Sequence, residues 1–248
     1  MRLLRETAHR PWPIPGGSWV MAQTWHDLLF AHWRVPVALV RELVPPELVI
    51  ETFETDAWLG VVPFRMSGIR PRGLPPMPGL SSFPELNLRT YITHGGKPGV
   101  FFFALEAANP VAVAVARRWF HLPYFNARMS CTPLGEDIEY ASERTHRDAE
   151  PALFRGRYGP TAPVELAQKG SFEHWLTERY CLYTLDQNRR VIRGEIHHAP
   201  WPLQKAHAEI ELCTLPQAHG FSPLAGDPHL AFARRLDVVV WAPRVARN

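Results

Sequence analysis

Lysine is scarce in this sequence of 248 residues, which contains only Lys97, Lys169 and Lys205. An amine becomes a nucleophile when burial or a neighbouring cation disfavours its protonated form. Lys97 and Lys169 are flanked by glycine in turn-like segments, where the amine meets water. Lys205 shares strand parity with Glu209 and Glu211, which are acidic neighbours. None of these settings favours a reactive amine, so the sequence argues against imine chemistry.

Cysteine is equally scarce. Cys131, Cys181 and Cys213 are far apart and odd in number, and they lack the C-x-x-C spacing of redox and zinc sites. We therefore expect reduced core thiols, without a disulfide framework and without a cysteine metal site.

Long apolar or basic runs are also missing. The longest apolar stretches, such as 111–116 and 238–241, are far shorter than the roughly 20 residues that cross a bilayer. The first residues contain no apolar core of a secretory signal, which predicts a cytoplasmic location. The net charge is +3, but the arginines are scattered among acids. We therefore expect neither a membrane nor a nucleic acid as a partner.

The common catalytic and cofactor motifs are absent as well. No G-x-G-x-x-G or P-loop follows a predicted strand, so the usual phosphate cradle of nucleotide cofactors is missing. No G-x-S-x-G elbow occurs, which argues against a serine hydrolase of that type. The sequence predicts no cofactor.

Proline is abundant instead, with 25 residues, and it both fixes φ and lacks an amide donor. This frequency favours short strands and turns over long helices. Hydrophobic residues make up 46% of the chain and charged residues 21%, the balance of a packed globular protein. Since β-rich domains often reach this length, we predict one domain over residues 1–248, in which residues 1–18 form an extended lead-in.

Hydrophobic periodicity predicts a mainly β (α+β) protein with a few short helices. One helix is expected over 37–44, another from Asn109-Pro110 onward, and a short third one near Phe172. Strands are predicted at 57–69, 85–94, 100–107, 126–132, 138–145, 152–158, 182–185, 190–198, 206–213 and 236–241.

The strand that begins at Glu85 alternates between two different faces. Leu86 and Leu88 share the apolar face, whereas Glu85, Asn87 and Arg89 share the polar one. A carboxylate and a guanidinium beside an amide can line a barrel lumen, where arginine binds carboxylate ligands with two parallel donors. The alternative is an ordinary solvent-facing side, because alternation does not say which face points inward.

Two adjacent histidines, His197 and His198, end the predicted strand 190–198. Neighbouring strand residues point to opposite faces, so these two are not expected to bind one metal ion together. A further ligand from Glu195 or His207 would be needed, and no H-E-x-x-H spacing occurs. We keep both histidines as candidate ligand-binding residues and predict no metal site; structural histidines are the alternative.

Several segments together resemble the YqjF-like family of unknown function (DUF2071), a branch of the acetoacetate decarboxylase-like superfamily. They are HDLLFAHWRVP (26–36), PELNLRTYI (84–92), LPYFNARM (122–129), LTERYCLY (176–183) and GEIHHAPWPL (194–203). The resemblance implies a twisted, cone-like antiparallel β-barrel with flanking short helices. It implies no established activity.

The resemblance also implies the place of a pocket. In acetoacetate decarboxylase a glycine-aromatic-proline turn carries paired lysines, one of which forms the imine while the other lowers its pKa. At that place this sequence has Tyr124-Phe125, and an aromatic pair cannot form an imine. Glu85 matches the pocket glutamate of the superfamily, and Arg89, Tyr124 and Asn126 are implied to face the same lumen.

Three hypotheses about function remain open at this stage. The first is a protein that binds a small polar or carboxylated ligand without Schiff-base chemistry. The second is an enzyme that uses acid/base chemistry through Glu85 and Tyr124. The third is a structural or partner-binding module whose barrel is filled by side chains. Exposed strand edges and nine tryptophans are also compatible with a homodimer.

Overall fold

The computed structural model of the protein describes residues 2–246, within which the chain forms fourteen strands and three α-helices. The strands are β1 (Met21–Val35), β2 (Val49–Ile50), β3 (Ala57–Pro71), β4 (Phe83–His94), β5 (Lys97–Ala107), β6 (Tyr124–Leu134), β7 (Asp137–Arg144), β8 (Leu153–Pro160), β9 (Glu165–Leu166), β10 (Cys181–Leu185), β11 (Val191–His198), β12 (Pro202–Cys213), β13 (His229–Val240) and β14 (Arg244–Val245). The helices are α1 (Val37–Leu43), α2 (Pro110–Trp119) and α3 (Phe172–Thr177).

Strand pairing closes the sheet on itself twice. The hydrogen-bonded order is β14-β11-β10-β5-β6-β7-β8-β12-β13-β1-β3-β4-β2, with β9 beside β12. Two further pairings, β4 with β5 and β11 with β13, turn this path into two rings that share β1, β3, β4, β5 and β13. The sheet is twisted and cone-like rather than a regular barrel, and it confirms the predicted mainly β fold class.

Two strand pairs depart from the expected antiparallel arrangement. β5 runs parallel to β6 and to β10. After β5 the chain passes through α2 before β6 begins, and such a crossover returns the next strand in the same direction. This crossover matters for the site, because it places α2 and the start of β6 next to each other.

The shared strands are buried on both faces over much of their length, although Arg34, Arg235 and Asp237 are exposed. Aromatic side chains, including Tyr140, Tyr158 and Phe232, pack inside the ring that contains β6, β7 and β8. The apolar face of β4, with Leu86 and Leu88, joins this core. On the opposite face Glu85 is only 3% exposed. The polar side of β4 is therefore a buried surface and does not face solvent.

Local sequence signals place the two longer helices. The expected helix over 37–44 is present as α1, which stops before the Pro45-Pro46 pair. α2 begins at Pro110, and the Asn109 side chain accepts hydrogen bonds from the amides of Val111 and Ala112, each at 3.1 Å. Among the helices of residues 2–246, none is long and apolar enough to cross a bilayer.

The ends of the chain differ from the sequence expectation. Residues 2–5 form a short 3-10 helix where an extended lead-in is predicted. The segment after it lies across β11, where Arg10 Nη1 donates to the carbonyl of Ile196 at 2.8 Å. β13 begins at His229 rather than at Leu236, because it pairs with β1 along its whole length.

Candidate ligand cavity

A cavity of about 350 Å³ lies within the ring formed by β1, β3, β4, β5, β10, β11 and β13, next to α2. Its wall is mostly apolar, with contributions from Met66, Phe83 and Leu105 among others. A few polar side chains interrupt this wall, namely Gln23, Ser81, Glu85, Arg89, Asn109, Tyr124, Thr177, Arg179 and His198. A mostly apolar cavity with few convergent polar groups is typical of a small-molecule site.

Glu85 and Tyr124 form a hydrogen-bonded pair in this wall. The Tyr124 hydroxyl donates to Oε2 of Glu85 at 2.7 Å. Burial raises the pKa of Glu85 to about 8, although the hydrogen bond from Tyr124 acts in the opposite direction. Burial, together with the neighbouring Glu85, raises the pKa of Tyr124 well above its ordinary value. Both groups are therefore protonated at neutral pH.

Arg89 lies four residues further along β4 and lines the same cavity. Its guanidinium stacks over the rings of Phe30, at 5.3 Å, and Tyr91, at 5.7 Å. Its Nη2 donates to the Tyr91 hydroxyl at 3.2 Å, whereas its Nε is buried without a partner. No carboxylate of residues 2–246 forms an ion pair with Arg89. The cavity thus contains a guanidinium without a counterion.

A histidine orients the tyrosine that holds Arg89. The Tyr91 hydroxyl lies 2.6 Å from Nε2 of His32, which is fully buried. Burial, and after it the charge of Arg89, lowers the pKa of His32 well below its ordinary value, so the ring is neutral. Because Tyr91 accepts from Arg89, it donates its own proton to His32. The opposing strand leaves room for this ring at Gly60, where a Cβ would lie 2.5 Å from Nε2 of His32.

The far wall of the cavity comes from β11 and from the segment before β10. His198 lies with both ring nitrogens near backbone carbonyls, Nδ1 at 2.7 Å from Ala199 and Nε2 at 3.3 Å from Arg179. Burial lowers the pKa of His198 to about 4, so the imidazole is neutral. Arg179 forms an ion pair with Glu51 and keeps its Nη2 buried without a partner.

The structure brings together only some of the residues that the sequence singles out. Glu85, Arg89, Tyr124 and His198 line the cavity, whereas Asn87, Asn126 and His197 do not. Ligand binding by any of these seven residues stays a prediction.

The three residues outside the cavity have identifiable surroundings. Asn87 is buried, and its Oδ1 has no hydrogen-bond partner among the described residues. The pairing of β4 with β5 shifts register between Leu88 and Arg89, that is, between Asn87 and Arg89 along the strand. Asn126 pairs with the end of β5. His197 faces the N-terminal segment, where its Nε2 lies 2.8 Å from the carbonyl of Leu3. The opposite orientation of the adjacent histidines follows from strand geometry.

Other cavity residues were not singled out individually by the sequence. Arg179 lies in the short connection between α3 and β10, inside the family-like segment 176–183, and it is buried. Trp25 and Trp201 come from distant segments, stack at 5.7 Å, and each leaves its indole Nε1 buried without a partner. Only the closure of the sheet brings these side chains to the cavity.

Within residues 2–246, none of the three lysines lines the cavity. Lys169 and Lys205 are exposed, and Lys97 forms an ion pair with Glu195 at 3.8 Å. At the implied place of the paired lysines, Tyr124 faces the cavity. Phe125 points away from it, and its ring packs against that of His219 with centroids 5.6 Å apart.

Comparisons with known proteins agree with this fold. An acetoacetate decarboxylase from Legionella pneumophila superposes with a TM-score of 0.64 at 10% identity, covering 98% of this chain and 94% of that chain. The enduracididine biosynthesis enzyme MppR complexed with pyruvate superposes with a TM-score of 0.61 at 11% identity, covering 93% and 91%. The protein therefore has the acetoacetate decarboxylase-like fold.

Sequence relatives identify the family more closely. The profile of the DUF2071 family, described as an uncharacterized conserved protein, matches residues 22–237. The uncharacterized protein YqjF of Bacillus subtilis (strain 168) is 46% identical over 231 residues, which is 93% of this chain and 94% of that protein. The chain belongs to the DUF2071 family.

Proposed function

We propose that this protein binds a small organic carboxylate in the cavity, with the carboxylate against Arg89 and a neutral oxygen-bearing group against Glu85 and Tyr124. The observation that carries the proposal is the guanidinium of Arg89, which lines an apolar cavity without a carboxylate partner in residues 2–246. A charge held away from water is costly unless it is paired. A bound carboxylate supplies that partner and accepts from the planar fork of donors.

The opposite end of the ligand meets the neutral pair of Glu85 and Tyr124. Because the pKa of Glu85 is raised to about 8, its carboxyl group is protonated at neutral pH and does not repel an anion. The protonated carboxyl of Glu85 donates to a carbonyl or hydroxyl oxygen, whereas the Tyr124 oxygen, whose own proton is donated to Glu85, accepts from a hydroxyl group. Four strand residues span about 13 Å, so the two polar groups are separated by an apolar stretch. This arrangement favours an acid with an apolar body over a compact polar one.

The proposal does not include a Schiff base. Lys97, Lys169 and Lys205 lie away from the cavity, and Tyr124 faces it where the superfamily resemblance implies a lysine. The structural neighbours act on or bind small oxo acids by their names, since they include an acetoacetate decarboxylase and MppR complexed with pyruvate. We infer that this chain keeps the carboxylate preference in a cavity without the imine-forming amine.

A ligand panel tests the binding proposal. Calorimetric titration compares oxo and hydroxy acids of increasing chain length with their methyl esters, which keep the shape and remove the charge. We expect the acids to bind and the esters to bind more weakly. Arg89→Met should weaken acid binding by about ten-fold or more and remove the preference over the ester.

The matched control is Arg155→Met, which removes an exposed arginine of β8. It should leave both affinities unchanged. Equal binding of acids and esters to the unaltered protein would contradict the role of Arg89. If the cavity accepts no member of the panel, the binding proposal fails.

The raised pKa of Glu85 favours a second candidate, an enzyme that uses Glu85 and Tyr124 for acid/base chemistry. A group with a pKa of about 8 exchanges a proton readily near neutral pH. Incubation of a bound oxo acid in D₂O, followed by NMR, would reveal exchange at the carbon next to the carbonyl. Glu85→Gln should abolish that exchange and retain binding. Binding without exchange or turnover leaves the protein as a binding protein.

A further inference from the structure

Two neighbouring segments border the mouth of the cavity. One is the segment 70–82, which comprises the end of β3 and the loop before β4, and the other is the segment 108–123, which contains α2. Met77 from the loop and Val111 from α2 both line the cavity, as Leu80 and Val115 do. Nδ2 of Asn109 donates to the carbonyl of Leu80 at 3.4 Å and joins the two segments. Together, 70–82 and 108–123 form one surface, called here the mouth surface.

The mouth surface exposes an unusual amount of apolar side chain. Its exposed large apolar residues are Leu74, Met77, Leu80, Val111, Val115 and Trp119. Trp119 is 67% exposed and Met77 is 58% exposed. Val111, Val115 and Trp119 are spaced by four residues and form a stripe along α2, while Val113 packs inward. A contiguous exposed apolar patch of this kind marks an interaction site.

The charge of the mouth surface has a single sign. Neither segment contains an aspartate or a glutamate, and together they carry Arg70, Arg72, Arg117 and Arg118. None of these four arginines forms an ion pair with a carboxylate of residues 2–246. Arg72 stacks at 5.6 Å over the ring of Trp19. Arg117 instead turns toward β6, where it donates to the carbonyl of Tyr124 and lies over the Phe125 ring, so the arginines that remain for a partner of the mouth surface are Arg70, Arg72 and Arg118. The surface therefore suits a partner that is both apolar and anionic.

A second copy of the chain does not meet that requirement. A two-fold dimer places the same patch on both sides of the interface. Arg70, Arg72 and Arg118 would then face their own copies without any acid in either segment, and like charges across an interface are unfavourable. The face of a bilayer that contains anionic lipids supplies both an apolar interior and a layer of phosphates.

We propose that the mouth surface docks this protein onto anionic lipid membranes. Trp119 and the apolar stripe of α2 enter the boundary between headgroups and acyl chains, and Arg72 and Arg118 contact lipid phosphates. The cavity then opens toward the lipid, so that an apolar carboxylate passes between bilayer and cavity without crossing water; this last step rests on the proposed ligand. A protein that binds the membrane surface needs no spanning segment. The proposal departs from the expectation, drawn from the sequence, that a membrane is not a partner.

Vesicle co-sedimentation of the full chain tests the docking without any cavity ligand. The probes are phosphatidylcholine vesicles with and without phosphatidylglycerol. We expect binding to the anionic vesicles, weaker binding to the neutral ones, and loss of binding as salt is raised. Trp119→Ala and the double variant Arg72→Glu/Arg118→Glu should each lower the vesicle partition coefficient by at least about ten-fold.

Matched controls separate this surface from general charge and hydrophobicity. Leu134→Ala removes an exposed apolar residue of β6, and Arg147→Glu/Arg155→Glu reverses two exposed arginines outside the mouth surface. Both should bind vesicles as the unaltered chain does. Equal losses in the controls, or no binding to anionic vesicles, would overturn the proposal. A concentration-dependent dimer that Trp119→Ala abolishes would instead identify a second copy as the occupant.

The ligand and membrane proposals fail separately. Arg89→Met removes the proposed carboxylate partner inside the cavity but leaves the mouth surface intact, so it should retain vesicle binding. Vesicle binding without carboxylate binding would overturn only the function proposed for the cavity. Carboxylate binding without vesicle binding would overturn only the membrane surface.

Discussion

The phenol of Tyr124 donates its hydrogen bond to the carboxyl of Glu85 at 2.7 Å, across the junction between β4 and the start of β6. The pair is held in an apolar wall, and burial is the largest influence on the pKa of each partner. It is therefore a neutral, prearranged pair at neutral pH, in which the Glu85 carboxyl keeps a free donor and the Tyr124 oxygen can accept. The two side chains come from positions 39 residues apart in sequence.

Tyr124→Phe should raise the pKa of Glu85 beyond its value of about 8. The hydrogen bond from Tyr124 favours the ionised carboxylate, and its loss leaves the effect of burial unopposed. An NMR titration of the labelled glutamate carboxyl carbons measures the change. Phe125→Leu is the neighbouring control, because the Phe125 ring packs on His219 and not in the cavity. A pKa of Glu85 that falls in Tyr124→Phe would contradict the assigned contact.

Stability should fall as pH rises from about 4.5 to about 8, and Glu85→Gln should remove this part of the dependence. The pKa of Glu85 is 4.5 when unperturbed and about 8 in the folded protein, so the unfolded state loses its proton first. The protonated carboxyl contributes stability that is complete below the lower value and is lost as pH passes the higher one. The upper bound is about 5 kcal/mol, at ~1.4 kcal/mol for each pKa unit.

Urea unfolding at roughly pH 5, 6, 7 and 8, values that lie within the interval that the shift defines, checks this linkage. Glu85→Gln should gain stability relative to the unaltered chain as pH rises. Glu139→Gln is the control, since it removes an exposed carboxylate of β7. A stability difference between Glu85→Gln and the unaltered chain that stays constant with pH would show that Glu85 titrates normally.

Gly60→Ala should destabilise the protein by about 1 to 3 kcal/mol, the usual cost of inserting a methyl group into a packed core. The new Cβ would lie 2.5 Å from Nε2 of His32, whose ring is held by Tyr91. Displacement of His32 also releases Tyr91 from its contact with Arg89, so carboxylate affinity should fall with the melting temperature. Gly16→Ala is the matched control, because a Cβ there meets nothing within 4 Å. Similar melting temperatures for both variants would contradict the close packing of β1 on β3.

Asn109→Ala should lower the free energy of unfolding by about 1 kcal/mol, because α2 loses the side chain that caps its first amides. Asn109 accepts from the amides of Val111 and Ala112 and also donates to Leu80 at the mouth of the cavity. Asn109→Ser keeps a capping oxygen and should recover most of the stability. Chemical unfolding of the two variants measures the difference, and an equal loss in both would place the effect in the contact with Leu80.

The sequence by itself determined the local elements of this protein. Alternation along 85–94 indicated a strand with two unlike faces, and Asn109-Pro110 indicated a capped helix, because these patterns depend on neighbours a few residues away. The strand alternation and the family resemblance also singled out Glu85, and the resemblance added Tyr124 as its candidate partner.

Only the tertiary structure decided what each face contacts. β4 borders both rings. Its apolar side therefore packs into the core of one ring, while Glu85 and Arg89 face the cavity in the other. The two rings close through the pairing of β4 with β5 and of β11 with β13. The contributions of Arg179 and Trp201 depend on the same closure. The position of Glu85 within a strand is a local property, whereas its burial beside Tyr124 arises from pairings between distant segments, which no local pattern encodes.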